Sequence, residues 1–488
     1  MSLETIRNES APSERGIFAR FAHLLSAQAV EGVATTVFFL YMARIDSTLY
    51  GGVMYAMAAG SIVTKVIQFG LYYPMVTSLG EAGAEKAPEI INRVNVIKLG
   101  LLFPCMLAVI GIGFHRGFSP EMSQGLFLIC LGFALEAVAD TFFGDMRVKG
   151  EQGTESRIKI LSSVAAYGFG FIGVFFGLHP VVISTFRLIS GVIRIAGGLA
   201  FCARDYSSRL WQRPEWQTVR LMFKAATPFA LIDILGTVYN KTNIFFLENS
   251  TGLDGVASYS ATWNIVDAVS TLVSEQFLGW VIFPLLAAYW WKSRSRVQRL
   301  VRSNAQWLMA LAFPIMFVLG AESHFLISFI YGGKYDDAIW MQQYLVWTIP
   351  LSFENNLFQY VMMVSGAVKL LLVLNVVVTV LNVLLNFALV GPYGLAGGCM
   401  VIILTKLAMT VFTYSYCRIR FGFFRTRDFF APLALAGGTF GLFLAVRSLL
   451  PLHGSVLITV VFYLLVLWRF GTAFLGPLPG RTAADRRR

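Results

Sequence analysis

The sequence predicts an all-α protein that crosses a membrane many times. Three observations carry that expectation. Of the 488 residues, 56% are hydrophobic, and only 14% are charged, against roughly 25% in soluble domains. The apolar residues also fall in runs of about twenty, the length that spans a hydrocarbon core. The mean hydropathy of +0.66 agrees. Reading each run as one span gives about 14 helices, starting near residues 17, 50, 92, 123, 158, 181, 221, 256, 302, 340, 369, 395, 429 and 453. No stretch is left for a soluble domain.

In chain order, residues 1–16 (MSLETIRNESAPSERG) form a polar cytoplasmic tail of mixed charge. No short apolar core with an Ala-x-Ala type site follows it, so the first span is expected to be retained. Residues 17–203 carry six spans, 204–220 a cytoplasmic linker, 221–417 six further spans, 418–473 two more, and 474–488 a basic cytoplasmic tail. A short internal repeat relates the two sets of six. LYGGVMY (Leu49 to Tyr55) aligns with LDGVASY (Leu253 to Tyr259), and the helix that each copy opens runs to a proline, Pro74 or Pro284. Repeated units of this kind are common in transporters. They imply two pseudo-symmetric six-helix lobes around a central cavity, plus two C-terminal helices.

The formal charge of +12 suits nucleic acid or a charged membrane face, and its placement decides between them. With the N-terminus inside, 28 of the 39 basic residues fall in cytoplasmic segments, four (Arg44, Arg116, Lys334, Arg447) in outer ones, and seven inside spans. A missed or extra span would invert every later loop and mix these classes. The charge therefore orients the chain with both termini cytoplasmic, and no nucleic-acid partner is needed. The five cysteines (Cys105, Cys130, Cys202, Cys399, Cys417) lie in spans without a Cys-x-x-Cys, so neither a disulfide framework nor a metal site is expected.

The seven basic residues inside spans are Arg20, Lys65, Lys98, Arg187, Arg194, Lys241 and Lys406. A charge facing lipid at mid-depth costs about 2.5–3.5 kcal/mol, so seven would cost roughly 20, more than the whole stability of a typical protein. Most must face protein or water. Arg20 and Lys98 lie near span ends and are read as snorkelling. Lys65, Arg194 and Lys406 are deeper, with Arg187 and Lys241 intermediate. Lys65 belongs to a stripe: Ser61, Thr64, Lys65, Gln68 and Tyr72 share one helix face. Similar stripes mark helix one (Arg20, His23, Glu31, Thr35), helix seven (Asp233, Thr237, Asn240, Lys241), helix eight (Ser260, Asn264, Asp267, Thr271, Ser274) and helix eleven (Asn375, Thr379, Asn382, Asn386). Glu136, Asp140, Glu275 and Glu354 add further acids at depth.

Two readings stand side by side. In one, these groups are buried ion pairs and interhelical hydrogen bonds. In the other, Lys65, Arg187, Arg194, Lys241 and Lys406 line one wet, cationic cavity walled by Gln68, Asn264, Asn382 and Asn386. Charge-assisted hydrogen bonds there suit a pyrophosphate, and Glu31, Asp233 and Asp267 are candidates for ion coupling. Neither catalytic nor metal-binding residues are expected.

Three segments carry a resemblance to a known family. They are YMARIDSTLYGGVMYAMAAGSIVTKVIQFGLYYPMVTSL, FIYGGKYDDAIWMQQYLVWTIPL (Phe329 to Leu351) with its Tyr-Gly-x-x-Tyr element, and VLNVLLNFALVGPYGLAGG (Val380 to Gly398) with its Asn-x-x-x-Asn and Pro-x-Gly-x-x-Gly-type run. Together with TPFALIDILGTVYNKTNIFFLENSTGLDGVASYS they cover most of residues 17–420. The chain resembles the polysaccharide flippases of the multidrug/oligosaccharidyl-lipid/polysaccharide exporter superfamily. After Gly398 this chain reads CMVIILTK, where relatives carry an Ala-rich run, so no family role transfers to Lys406.

The resemblance implies movement of an undecaprenyl-pyrophosphate-linked oligosaccharide across a bacterial inner membrane by alternating access. It implies no cofactor, leaves coupling to a proton or sodium gradient open, and makes the lipid-linked glycan, membrane lipids, a polysaccharide polymerase and export machinery the expected partners. A multidrug or cation antiporter of the same fold would be opposed by deep cations. A membrane polymerase or ligase would want a large outer loop with acid/base residues, and the outer loops here are short.

Overall fold

The computed structural model describes residues 14–206, 215–423 and 430–474, with backbone alone at 14–22, 24, 81–85, 274–276, 280–281 and 472–474. Of the expected tails and linker, residues 1–13, 207–214 and 475–488 lie outside the described residues, as do the side chains of Arg20, Ser274 and Glu275. Every regular element among the described residues is helical, as hydrocarbon demands of a chain that must satisfy its backbone polar groups within each segment.

The chain divides into two compact units, Met1–Lys241 and Thr242–Arg488. The first holds α1 (Glu14–Ile45), α2 (Ser47–Gln68), α3 (Tyr72–His115), α4 (Pro120–Lys149), α5 (Gln152–Phe175), α6 (Pro180–Ser184), α7 (Phe186–Tyr206) and the start of α8 (Trp216–Thr271). The boundary between these units falls within α8. Packing explains why: Val219, Met222 and Ala226 join Leu71, Met75, Ile91, Phe142 and Phe143 in one buried cluster.

In this unit α4 packs against α2, α3 and α7, and α1 packs against α5. Glycine sets the closest approach. A Cβ on Gly132 of α4 would lie 2.5 Å from the Arg187 carbonyl, and one on Gly191 of α7 would lie 2.7 Å from the Gly132 oxygen. Small residues let membrane helices meet backbone to backbone. Gly132→Ala should therefore cost about 1–3 kcal/mol, the range for overpacking, seen as a lowered detergent-solubilised Tm. An unchanged Tm would mean the two backbones do not meet. On α3, Leu99, Phe103, Leu107, Ile110 and Phe114 are exposed at helical spacing, a face suited to lipid.

The second unit holds the rest of α8, a π-helical segment (Leu272–Ile282), α9 (Phe283–Trp290), α10 (Arg294–Ala321), α11 (Ser323–Tyr331), α12 (Asp336–Leu345), α13 (Thr348–Val364), α14 (Val368–Phe421), α15 (Phe430–Arg447) and α16 (Leu452–Phe474). Here α10 packs on α12, α13, α15 and α16, and α13 packs on α14. The Tyr463 hydroxyl of α16 donates to the Ala310 carbonyl of α10 at 2.7 Å.

Eleven helical stretches among the described residues are long and apolar enough to cross a membrane. Two contain 56 and 54 residues, about 80 Å each at 1.5 Å per residue, far beyond the roughly 30 Å hydrocarbon core. Each breaks at a glycine: Gly252 (φ 71°, ψ −170°) in α8 and Gly394 (φ 53°, ψ −126°) in α14. The breaks adjoin, since a Cβ on Gly394 would lie 3.3 Å from the Thr251 methyl. The sequence places divisions at these same points, near 256 and 395, and so counts separate spans. Its tenth span corresponds here to α12 and α13, helices of 10 and 17 residues.

Candidate functional site

The polar stripe of α2 ends at a break in the helix. Asp46 caps its start, accepting from the Leu49 N–H at 2.9 Å. At its other end Phe69 adopts the left-handed region (φ 44°, ψ 37°), its N–H donating to the Lys65 carbonyl at 3.0 Å. A non-glycine there costs about 1–2 kcal/mol. Phe69 stacks on Phe223 with ring centroids 4.3 Å apart, which holds it in place. Gly70 follows at φ 59°, and a Cβ on it would lie 2.6 Å from the Ala230 nitrogen. Only glycine fits, so α8 wedges the break. A cation in the last turn, Lys65, also suits the negative end of the helix dipole.

Beside this break lies a cavity of about 230 Å³ lined by Lys65, Gln68, Gly70, Tyr72, Tyr73, Met75, Val94, Lys98, Asp140, Arg147 and Asp233, large enough to hold several waters. Its charges are not equally free. Arg147 is matched by Glu155, with Nε donating to Oε2 at 2.9 Å, and Lys159 also pairs with Glu155 at 2.8 Å. Gln68 donates to Asp140. Lys98 is 4% exposed and donates to the Ala137 carbonyl at 2.6 Å. Lys98 therefore does not snorkel: its helical stretch, Lys86–His115, is 30 residues long, so a residue twelve positions in is near mid-depth. The Lys65 side chain, half-buried, makes no hydrogen bond among the described residues, and its charge acts on Asp233 across the cavity.

The two arginines of the expected cavity lie off this lining. Glu136, one turn before Asp140 on α4, pairs with Arg187 and accepts from the Ser190 hydroxyl at 2.6 Å. The Arg187 guanidinium also donates to the Tyr167 hydroxyl at 3.1 Å and sits 4.1 Å from the Phe133 ring centroid. Arg194 pairs with Glu31 at 2.8 Å, reaches Glu136 at 3.6 Å, and donates to the Ser162 hydroxyl at 2.9 Å. Arg187 and Arg194 are each 7% exposed. Two acids and two arginines thus form a closed cluster that ties α1, α4, α5 and α7 together.

In the second unit, Lys406 donates to the Ser352 hydroxyl at 2.8 Å and lies 5.2 Å from the Trp263 ring centroid, within the field of Asp267. Asn382 and Asn386 are fully buried. Asn386 donates to the Asn243 side chain at 2.9 Å and to the Asn382 side chain at 3.0 Å, while Asn243 donates to the Gly398 carbonyl at 3.0 Å. The structure seals these asparagines between helices rather than presenting them on a cavity wall. Asn264 is exposed and Lys241 half-buried.

Of the expected site, then, the cavity at the break joins Lys65, Gln68 and Asp233. Arg187, Arg194 and Glu31 form a second group, Lys406 and Asp267 a third, and Asn382 and Asn386 a fourth. Sequence reasoning missed Lys98, Tyr73 and Arg147 as cavity residues. The length of the Lys86–His115 run was the available signal for Lys98.

A sequence profile described as polysaccharide biosynthesis protein matches residues 42–340, more than half of the chain. The probable low-salt glycan biosynthesis flippase Agl15 of Haloferax volcanii is 21% identical over 391 residues, which are 77% of this chain and 79% of that protein. Among solved structures, an inward-facing multidrug resistance MATE family transporter of the MOP superfamily superposes with a TM-score of 0.64 at 14% identity, covering 80% of this chain and 94% of that one. The lipid II flippase MurJ in an inward closed conformation superposes with a TM-score of 0.61 at 10% identity, covering 96% of this chain and all of that one. This all-helical, multi-pass membrane fold is the one the sequence predicts.

Proposed function

The chain belongs to the polysaccharide biosynthesis protein family, and from that membership we propose that it is a flippase for lipid-linked glycans. The substrate is an undecaprenyl-pyrophosphate-linked oligosaccharide repeat unit, moved by alternating access from the cytoplasmic to the periplasmic leaflet of a bacterial inner membrane. Both termini are cytoplasmic, and the product feeds a polysaccharide polymerase and export machinery in exopolysaccharide, capsule or O-antigen synthesis. The flippase assignment of the Haloferax volcanii relative supports this reading. The observation that carries it is Lys65, a membrane-depth ammonium with unused donors in a polar cavity. Such a group attracts phosphate oxygens and repels the cationic substrates of a drug antiporter.

Reconstitution tests the reading. Proteoliposomes loaded on one leaflet with undecaprenyl-pyrophosphate-linked oligosaccharide should expose it on the other at least tenfold faster than protein-free vesicles, read by glycosidase accessibility. Transport of a cationic dye with no movement of the lipid-linked glycan would replace this reading with the antiporter.

A further inference from the structure

We propose that the second unit binds an anionic phospholipid where the start of α10 meets the end of α14, with a two-phosphate headgroup preferred. The inference does not rest on the flippase reading, because lipid binding is measured without transport.

The site has two arms. Lys292, Arg294, Arg296 and Arg299 lie on the α10 arm and Arg418 and Arg420 on the α14 arm, and all six are exposed. Side chains of the first arm close the end of the second. Gly422 takes the left-handed region (φ 67°) and stops α14, leaving carbonyls that a continuing helix would have satisfied. Arg294 donates to the Phe421 carbonyl at 3.5 Å, and Gln298 donates to the Gly422 carbonyl at 3.1 Å. An aromatic cluster fixes this contact: Trp290 meets Phe421 edge to face with centroids 5.2 Å apart, and Phe421 stacks on Phe423 at 5.1 Å.

The cluster is set apart by its lack of acid. Neither α9, α10 nor α14 contains an Asp or Glu, and none of the six cations has an ion pair among the described residues. The loop 424–429, outside the described residues, adds Arg425, Arg427 and Asp428, so it leaves the excess positive. Cations of the first unit are matched instead. Lys159 pairs with Glu155 at 2.8 Å, Lys149 with Asp145 at 3.0 Å and with Asp205 at 2.8 Å, and Arg204 with Asp205 at 3.3 Å. Either arrangement would orient a membrane chain by its basic residues. Converging cations without acid, however, repel one another, and Arg294 and Arg296 also sit at the positive end of the α10 dipole, which disfavours them. A bound anion offsets both costs.

The surroundings select a lipid phosphate. The stretches Arg294–Ala321 and Val368–Phe421 are long and apolar enough to cross a membrane, so the site lies where a span leaves the bilayer. Each arm sets its cations beside an exposed apolar side chain: Trp291, 87% exposed, next to Lys292, and Ile419, 85% exposed, between Arg418 and Arg420. Such pairs match the level at which headgroups meet acyl chains. A soluble acidic partner would leave Trp291 and Ile419 without acyl chains to cover them. Guanidinium groups engage phosphate oxygens through two parallel hydrogen bonds, and two arms suit two phosphates on one lipid.

Native mass spectrometry of the full chain, delipidated in a non-ionic detergent, tests this with tetraoleoyl cardiolipin as the probe. Cardiolipin should bind at least about tenfold more tightly than phosphatidylcholine and raise the Tm. Inorganic pyrophosphate at the same concentration should do neither. Arg418→Gln with Arg420→Gln should weaken cardiolipin binding about 10- to 30-fold, since each cation at a membrane surface contributes roughly fivefold. Neither side chain holds a hydrogen bond or ion pair among the described residues, so the fold should persist. Lys292→Gln with Arg299→Gln, on the other arm, should give the same loss and serves if the first variant does not fold. Arg204→Gln, which removes an exposed cation from the first unit, should change the affinity less than about twofold. Equal binding of cardiolipin and phosphatidylcholine, or equal weakening by Arg204→Gln, would overturn the site in favour of diffuse attraction. Displacement of cardiolipin by inorganic pyrophosphate would give the patch to a soluble anion, and preferential binding of polyglutamate would give it to an acidic protein. Either result overturns the lipid.

Discussion

Lys65→Ala should lower the rate of glycan translocation about 10- to 100-fold at limiting substrate while leaving the protein folded. The magnitude follows from one charge-assisted hydrogen bond to phosphate, worth about 1.5–3 kcal/mol. The fold should survive because the Lys65 side chain makes no hydrogen bond among the described residues and is only half-buried, so its loss removes no packing contact of consequence. Asp233, on which its charge acts, lines a cavity that can admit water. Lys65→Arg should recover part of the activity by keeping the charge. The check is a proteoliposome assay with Tm measured on the same preparations. Translocation at the wild-type rate would reduce Lys65 to a counter-ion for Asp233 and remove the main support for a headgroup site here.

Glu136→Ala should have the opposite profile, a large loss of stability that no substrate can restore. Glu136 contacts Arg187, Ser190 and Arg194 at once. Removing one member of a buried ionic cluster typically costs 3–5 kcal/mol, because the remaining charge is left uncompensated. Arg187 would retain only the Tyr167 hydroxyl and the Phe133 ring. For a unit of this size the Tm in detergent should fall on the order of 10 °C. The double variant Glu136→Leu with Arg187→Met should regain much of that loss, since an apolar replacement of a buried pair is often neutral or better. A double variant no more stable than Glu136→Ala would show that the cluster does more than satisfy its own charges.

These two residues show what a single sequence can and cannot convey. The stripe Ser61, Thr64, Lys65, Gln68 and Tyr72 is legible because helical periodicity is local. The helix breaks at Gly252 and Gly394 are legible for the same reason: apolar runs stop there. Pairing across helices is not local. Arg194 meets Glu31 at a separation of 163 residues, and Gln68 meets Asp140 at 72. No spacing rule connects such positions, so a sequence cannot distinguish an arginine that awaits a ligand from one already neutralised. The asparagines of α14 show the same ambiguity. Their shared face is readable, but whether that face meets water or Asn243 depends on which helix lies opposite. The packing of the first turns of α8 is equally non-local, since Val219, Met222 and Ala226 bury against helices far earlier in the chain.

The adjoining turns at Gly252 and Gly394 also set a timetable for biogenesis. They are 142 positions apart in the chain, which at about 5–20 residues per second separates their synthesis by roughly 7–30 s. The first hairpin therefore enters the bilayer well before the surface that covers Thr251 exists. Over that interval Asn243 lacks both partners it later finds on α14, the Asn386 side chain and the Gly398 carbonyl. The nascent second unit thus carries an amide at membrane depth with only the Tyr259 hydroxyl to meet it, at 3.4 Å, until the segment holding Asn386 and Gly398 is made, and it is during that wait that a membrane chaperone or a quality-control protease would find the chain most recognisable.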